Sequence, residues 1–302
     1  MIADASGDVN LTSDNTNLIV NDAQGVNINL NAANRVEISG IADAENALSV
    51  TAFGVFDAVN GSALGDTIDI FSTDVALGSD SIIGDASRTS SIAFETFSNM
   101  TIGGDPSDNN PYQIDEFELT RISSGGDLSF TALADGSVPN ALISMETVDF
   151  TAGDGSNGFG QNFGQAGTLR FAAEGDIEVL GNVNVSGARG DTGVVFDAAD
   201  LVRINSSAGG IFVLDANNGL AGNLSIFATD FAAMTDQAFG DIAGLRLADI
   251  DVRLADNDSV DRPDGIIRAG ALTIQTTASE VFIQNTAAST EFDERRGFEV
   301  NS

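Results

Sequence analysis

The chain has 302 residues, with 45 acidic side chains against 12 basic ones, all arginine, for a net charge of -33 and a pI of about 4.1. Such a surface repels phosphate backbones and anionic headgroups, which argues against nucleic-acid partners and membrane-surface binding, and it attracts divalent cations. Cysteine and histidine are both absent, which removes disulfides, thiolate and imidazole metal ligation, cysteine nucleophiles and Ser-His-Asp catalysis.

In chain order, residues 7–40 alternate strongly between aliphatic and polar side chains. Val9 and Leu11, Leu18 and Val20, Val26, Ile28 and Leu30, and Val36 and Ile38 are expected to face inward. Successive side chains on a strand face opposite sides, so the pattern predicts short half-buried strands. Residues 41–75 are richer in Ala and Phe and allow a short helical cap around Ala42 to Ala47. Residues 80–102 return to strand spacing with Ile82, Ile83, Ile92, Phe94, Phe97 and Ile102. Gly103 to Tyr112 carries two prolines and is the clearest loop. It is expected to be an excursion, because strand signals resume with Ile114, Phe117, Leu119 and Ile122.

Residues 126–151 hold another strand pair, around Ala141 to Met145 and Thr147 to Phe150, and the glycine-rich stretch 153–167 follows as a loop. Short strands are then predicted at 169–171, 177–179, 183–185, 194–196, 202–204, 211–214 and 224–227. Phe227 to Phe239, with Ala232, Ala233 and Met234, suggests one or two helical turns. Strands resume at Leu245 to Leu254 and again over Gly270 to Thr286. There Leu272, Ile274, Val281 and Ile283 alternate with polar residues. The opening glycine, any residue, aliphatic, polar, aliphatic or Phe recurs along the chain. Examples are Gly7-Asp-Val-Asn-Leu11, Gly126-Asp-Leu-Ser-Phe130, Gly167-Thr-Leu-Arg-Phe171, Gly175-Asp-Ile-Glu-Val179 and Gly222-Asn-Leu-Ser-Ile226.

Strands this short need a neighbour stacked on them. Their brevity and mutual similarity favour an all-β parallel β-helix (β-solenoid), right-handed, forming one rod over residues 1–302 with excursions near 103–112, 153–167 and 255–265. Ile274 and Val183 are read as inward-facing. Rungs of about 20–30 residues at about 4.8 Å each would give a rod roughly 50–60 Å long. No apolar run approaches the ~20 residues of a membrane span. The N-terminal residues Met1 to Gly7 do not read as a signal peptide, so any export signal is expected outside this chain. No polar capping segment stands out, and the expectation is a segment of something longer or copies that meet end to end.

Asp256, Asp258, Asp261 and Asp264 place four carboxylates on one expected loop. Calcium takes six to eight oxygen ligands from such loops. The spacing is not that of an EF-hand, and a solvated acidic loop is the competing reading. Asp105 and Asp108 are a second, sparser candidate. Arg189-Gly190-Asp191 matches the integrin-recognition tripeptide of some adhesins, though turn composition alone accounts for it. The cluster 153–167 lacks the lysine and helix of a phosphate loop. Tryptophan is absent and Tyr112 is the only tyrosine. No carboxylate pair stands out for glycoside chemistry, so the chain is read as not an enzyme. A polysaccharide-degrading β-helix is kept as an alternative.

The glycine-led strands, the run Phe282-Ile-Gln-Asn-Thr286 and the run Asp293-Glu-Arg-Arg-Gly-Phe298 resemble bacterial filamentous-haemagglutinin-like and autotransporter-type surface adhesins. The resemblance implies a right-handed parallel β-helix on the bacterial cell surface, acting as adhesin, biofilm component or filament. The asparagine-proline motifs of a two-partner secretion domain and a C-terminal barrel are missing, so the export route does not carry over. The resulting expectation is an extracellular structural and adhesive segment. Its expected partners are itself, end to end or laterally, and host or matrix glycans or proteins. A calcium-dependent surface-layer or biofilm matrix protein is the second reading.

Overall fold

Three short strands make one coil of the rod. Leu169–Ala173, Ile177–Val179 and Val183–Val185 form one coil, and Val194–Ala198, Leu201–Asn205 and Ile211–Val213 form the next. Leu169 pairs with Val194, Ile177 with Val202 and Val183 with Ile211, each in parallel. Strands from successive coils therefore stack into three sheets around a shared interior, which is a parallel β-solenoid. The computed structural model describes residues 2–104, 112–150, 167–185, 193–205, 211–213, 223–234, 245–248, 251–254, 266–269, 271–276, 281–284 and 298–301. Among these residues the sheets hold 16, 8 and 5 strands.

The largest sheet is long because the N-terminal strands run around a corner. Leu18–Gly25, Ala47–Asp57 and Thr67–Ala76 have 8, 11 and 10 residues. Register shifts fall between Val20 and Asp22 and between Ala52 and Val55. A bulge adds a residue to one strand and bends it, so two sides of an N-terminal coil stay in one sheet.

One side of the rod keeps a single register from coil to coil. Val9, Ile28, Leu48, Ile68, Ile92, Leu128, Leu169, Val194 and Leu224 are successive Cα partners, and Leu272 and Phe298 continue the series. Two residues on, the series is Leu11, Leu30, Val50, Ile70, Phe94, Phe130, Phe171, Phe196, Ile226, Ile274 and Val300. Val183 and Ile274 are fully buried, as their inward assignment requires. Val26 differs from expectation, lying half-buried at the corner before Ile28–Ala32.

The four phenylalanines of the second series stack inside the rod. Ring centroids are 5.7 Å apart for Phe94 and Phe130, 5.5 Å for Phe130 and Phe171, and 5.2 Å for Phe171 and Phe196. Phe150 packs across the interior against both Phe130 and Phe171. Aromatic pairs of this kind add about 0.5–1.5 kcal/mol each beyond their area burial.

Two expected helices are strands instead. Ala42 and Ala44 end the strand Val36–Ala44, and Ala47 opens Ala47–Asp57. Ala23, Ala42 and Ala63 are successive partners and all buried. Small side chains line this side, so tertiary packing overrides alanine's helix preference. Asp230–Met234 likewise forms a strand paired with Leu201–Asn205, with Phe231 and Ala232 buried. A helix does occur where a strand was expected, at Glu116–Leu119.

The recurring glycine marks a corner where coil backbones touch. A Cβ on Gly167 would lie 2.0 Å from the carbonyl carbon of Gly126 in the preceding coil. A Cβ on Gly7 would meet nothing within 4 Å. Gly167→Ala is expected to destabilise the rod by about 1–3 kcal/mol through overpacking, while Gly7→Ala leaves the denaturation midpoint unchanged. Equal midpoints for the two variants would contradict this corner packing. Phe171→Ala, which removes a ring touching three others, is expected to cost about 3–5 kcal/mol in chemical denaturation.

Candidate functional site

Met100–Ile102 is followed by Gly103 and Gly104, whose φ angles of 83° and 79° suit glycine. Among the described residues Tyr112 comes next, and Gln113–Ile114 pairs beside Met100–Ile102. Asp115 then caps the single turn Glu116–Leu119. Its carboxylate accepts from the Glu118 N–H at 2.8 Å, and the Glu118 carboxylate accepts from the Asp115 N–H at 3.3 Å. This reciprocal box satisfies two backbone donors of the turn. It also explains why Phe117 and Leu119 are helical despite their strand-like spacing. Ile122 then bridges to Ile83.

Glu118 has a second task. Its other carboxyl oxygen accepts from the Leu77 N–H at 2.9 Å, across 41 residues of chain. Asp74 on Thr67–Ala76 accepts from the Gln113 N–H. Tyr112 is wholly buried beneath them. Its hydroxyl lies beside that of Ser72, also buried, outside normal hydrogen-bond geometry. Two carboxyl groups and a buried ring thus clamp the returning segment to the rod, and no cation offsets the charge there among the described ion pairs.

Burial pushes the Glu118 carboxyl up to about 8, with the Asp115 and Asp74 carboxylates adding to the rise. Burial raises Asp74 as well. Tyr112 is raised by the same burial and by the two carboxylates near it. A neutral acid beside an ionised one is a pattern used for proton transfer. Here both Glu118 oxygens are held by backbone N–H groups, and the arrangement acts as a clamp. Sequence reading passed over this cluster, although Asp115-Glu-Phe-Glu118 carries the spacing of a capping box.

The other candidates fall differently. Asp256, Asp258, Asp261 and Asp264 lie outside the described residues, as do Arg189-Gly190-Asp191, Asp105 and Asp108. Of the loop 153–167 only Gly167 is described. Among the described residues no group of three or more acidic side chains is placed to hold a metal ion. The chain matches no protein-family model, no curated protein and no solved structure.

The raised Glu118 carboxyl makes stability depend on pH in a stated direction. Its folded value of about 8 lies above the ordinary 4.5, so its contribution is full below about 4.5 and is lost as pH rises through about 8. The chain has no histidine or cysteine to titrate in that window. The parent protein is expected to melt several degrees lower at about pH 9 than at about pH 6, with a flatter profile for Glu118→Gln. Parallel profiles for the two proteins would remove Glu118 as the cause.

Proposed function

We propose that this chain is a structural and adhesive segment of a bacterial extracellular filament or cell-surface protein. The single observation that supports the reading most is the register of the first side, which runs from Val9 to Phe298 without losing step. Coils of different length all return to that register. Asp8 and Asn27 are bonded neighbours 19 residues apart, whereas Asp127 and Thr168 are 41 apart. Coils of unequal length thus share one register, and the rod spans distance whatever the length of chain between its strands. Such an architecture suits presentation of loops to partners along a fixed support.

The acidic surface gives the second reading its motive. Carboxylates outnumber arginines by 45 to 12, and calcium bridging between copies would relieve the repulsion. Electron microscopy of the purified chain with calcium and with a chelator separates the readings. Filaments that persist in chelator are the expected result. Sheets or filaments seen only with calcium would favour a surface-layer or matrix protein. Release of reducing or unsaturated ends from glycans would favour a polysaccharide-degrading enzyme.

A further inference from the structure

Phe53, Phe71 and Phe97 form an aromatic row on the outside of the rod. Phe53 and Phe97 are 59% and 37% exposed, and Phe71 between them is partly exposed. Centroids lie 6.1 Å apart for Phe53 and Phe71, and 4.9 Å apart for Phe71 and Phe97. The rings come from three successive coils, so the row runs along the rod. Phe71 sits in mid-strand between buried Ile70 and Ser72, and Phe53 stands at the bulge after Ala52. Phe97 follows directly on Ser91–Thr96.

Cross-coil stacking alone would explain the pairs, but not the solvent left on both outer rings. What would cover them follows from the surroundings. Glu95 is the strand partner of Phe71 on one side. Asp69 shares the outward face two residues before it. Neither carboxylate takes part in an ion pair among the described residues. Arg35, Arg88, Arg170 and Arg203 are already engaged with Glu37, Asp57, Asp43, Asp197 and Glu178. Burial beside the row raises the Asp69 carboxyl, as expected for a charge with no cation near it.

Consecutive rings are turned by 68° and 72°. They do not make the flat, coplanar platform on which a chain of sugar rings stacks. They present faces and edges in turn, with a carboxylate at hand. A guanidinium or ammonium over such a face, paired with that carboxylate, is held twice. The ring spacings are comparable with the ~6.6 Å repeat of same-side residues on an extended peptide. We infer that this row docks an extended cationic polypeptide, with arginine or lysine side chains seated on Phe53, Phe71 and Phe97 beside Asp69 and Glu95. The inference gives a partner class to the adhesive reading and rests on it.

The test uses the full chain and a fluorescein-labelled synthetic peptide of alternating arginine and threonine, titrated by anisotropy at about 0.15 M salt. An acidic rod attracts any polycation, so the decisive variant keeps the charge. Phe53→Ser/Phe71→Ser/Phe97→Ser is expected to weaken binding at least about tenfold. Asp69→Asn/Glu95→Gln should weaken it comparably. Asp14→Asn/Asp80→Asn, which removes the same charge elsewhere on the exposed surface, should change it less than about twofold. Should the triple variant fail to fold, Phe53→Ser alone, at the most exposed ring, carries the comparison. Equal affinity for parent and ring variants would overturn the inference, as would equal losses for the two carboxylate pairs. It would also be overturned if the ring variants lost binding to a neutral oligosaccharide, or lost self-association, while still binding the peptide. Micrographs of the same samples report on the filament reading separately, because peptide binding and end-to-end assembly can fail independently.

Discussion

A pair of three-residue parallel strands has almost no stability of its own, so each coil here exists because the next presents the same kind of side chain at the same Cα level. The in-step pairing of one side, from Val9 onward, is the constraint on which the other features depend. A slip of one residue would turn the aliphatic and phenylalanine positions outward and the Asp and Asn positions inward. The interior phenylalanine stack helps hold that register where a coil is long, because Phe130 and Phe171 face each other across 41 residues of chain. Corner glycines allow the coils to approach closely enough for such stacking, as the contact of Gly167 with Gly126 shows.

Charge is organised around the same repeat. Arginine is scarce, and several arginines tie coils together, as Arg203 does with Glu178 and Arg170 with Asp197. Polar side chains do similar work at the N-terminal end, where Asn27 donates to Asp8 and Asn29 to Asn10. Many other described carboxylates meet water, while Asp74, Asp115 and Glu118 gather in the clamp, where burial drives Glu118 towards neutrality. The described outer surface therefore offers a partner acid along much of its length, with apolar side chains exposed among it, as at the Phe53 row.

Much of the fold was legible because burial leaves a period of two. The motif of Gly167-Thr-Leu-Arg-Phe171 names the corner, the two inward positions and the outward one between them. Alanine misled, since Ala42 and Ala232 look helical by propensity but are buried in strands, Ala42 level with Ala23 and Ala63, and Ala232 beside inward Phe231. Phe117 and Leu119 misled in the other direction, because a local capping box outweighs alternation over so short a stretch. The clamp was harder to see. Asp74 and Tyr112 come together through the coil pairing, and Glu118 reaches Leu77 over 41 residues. Phe53 carried a subtler sign: following inward Ala52, it falls within the register shift that carries the strand around the corner.

The direction of the backbone hydrogen bonds has a mechanical meaning. They link coil to coil along the rod, so tension on the two ends of the chain peels coils off singly instead of shearing whole sheets at once. Each coil that yields would lengthen the chain by its own contour. A 19-residue coil near Asp8 gives up little slack, and the 41-residue detour after Asp127 gives up much more. A rod built this way is stiff under small loads and gives way in uneven steps under large ones, taking up work at each step while the coils still wound keep their shape.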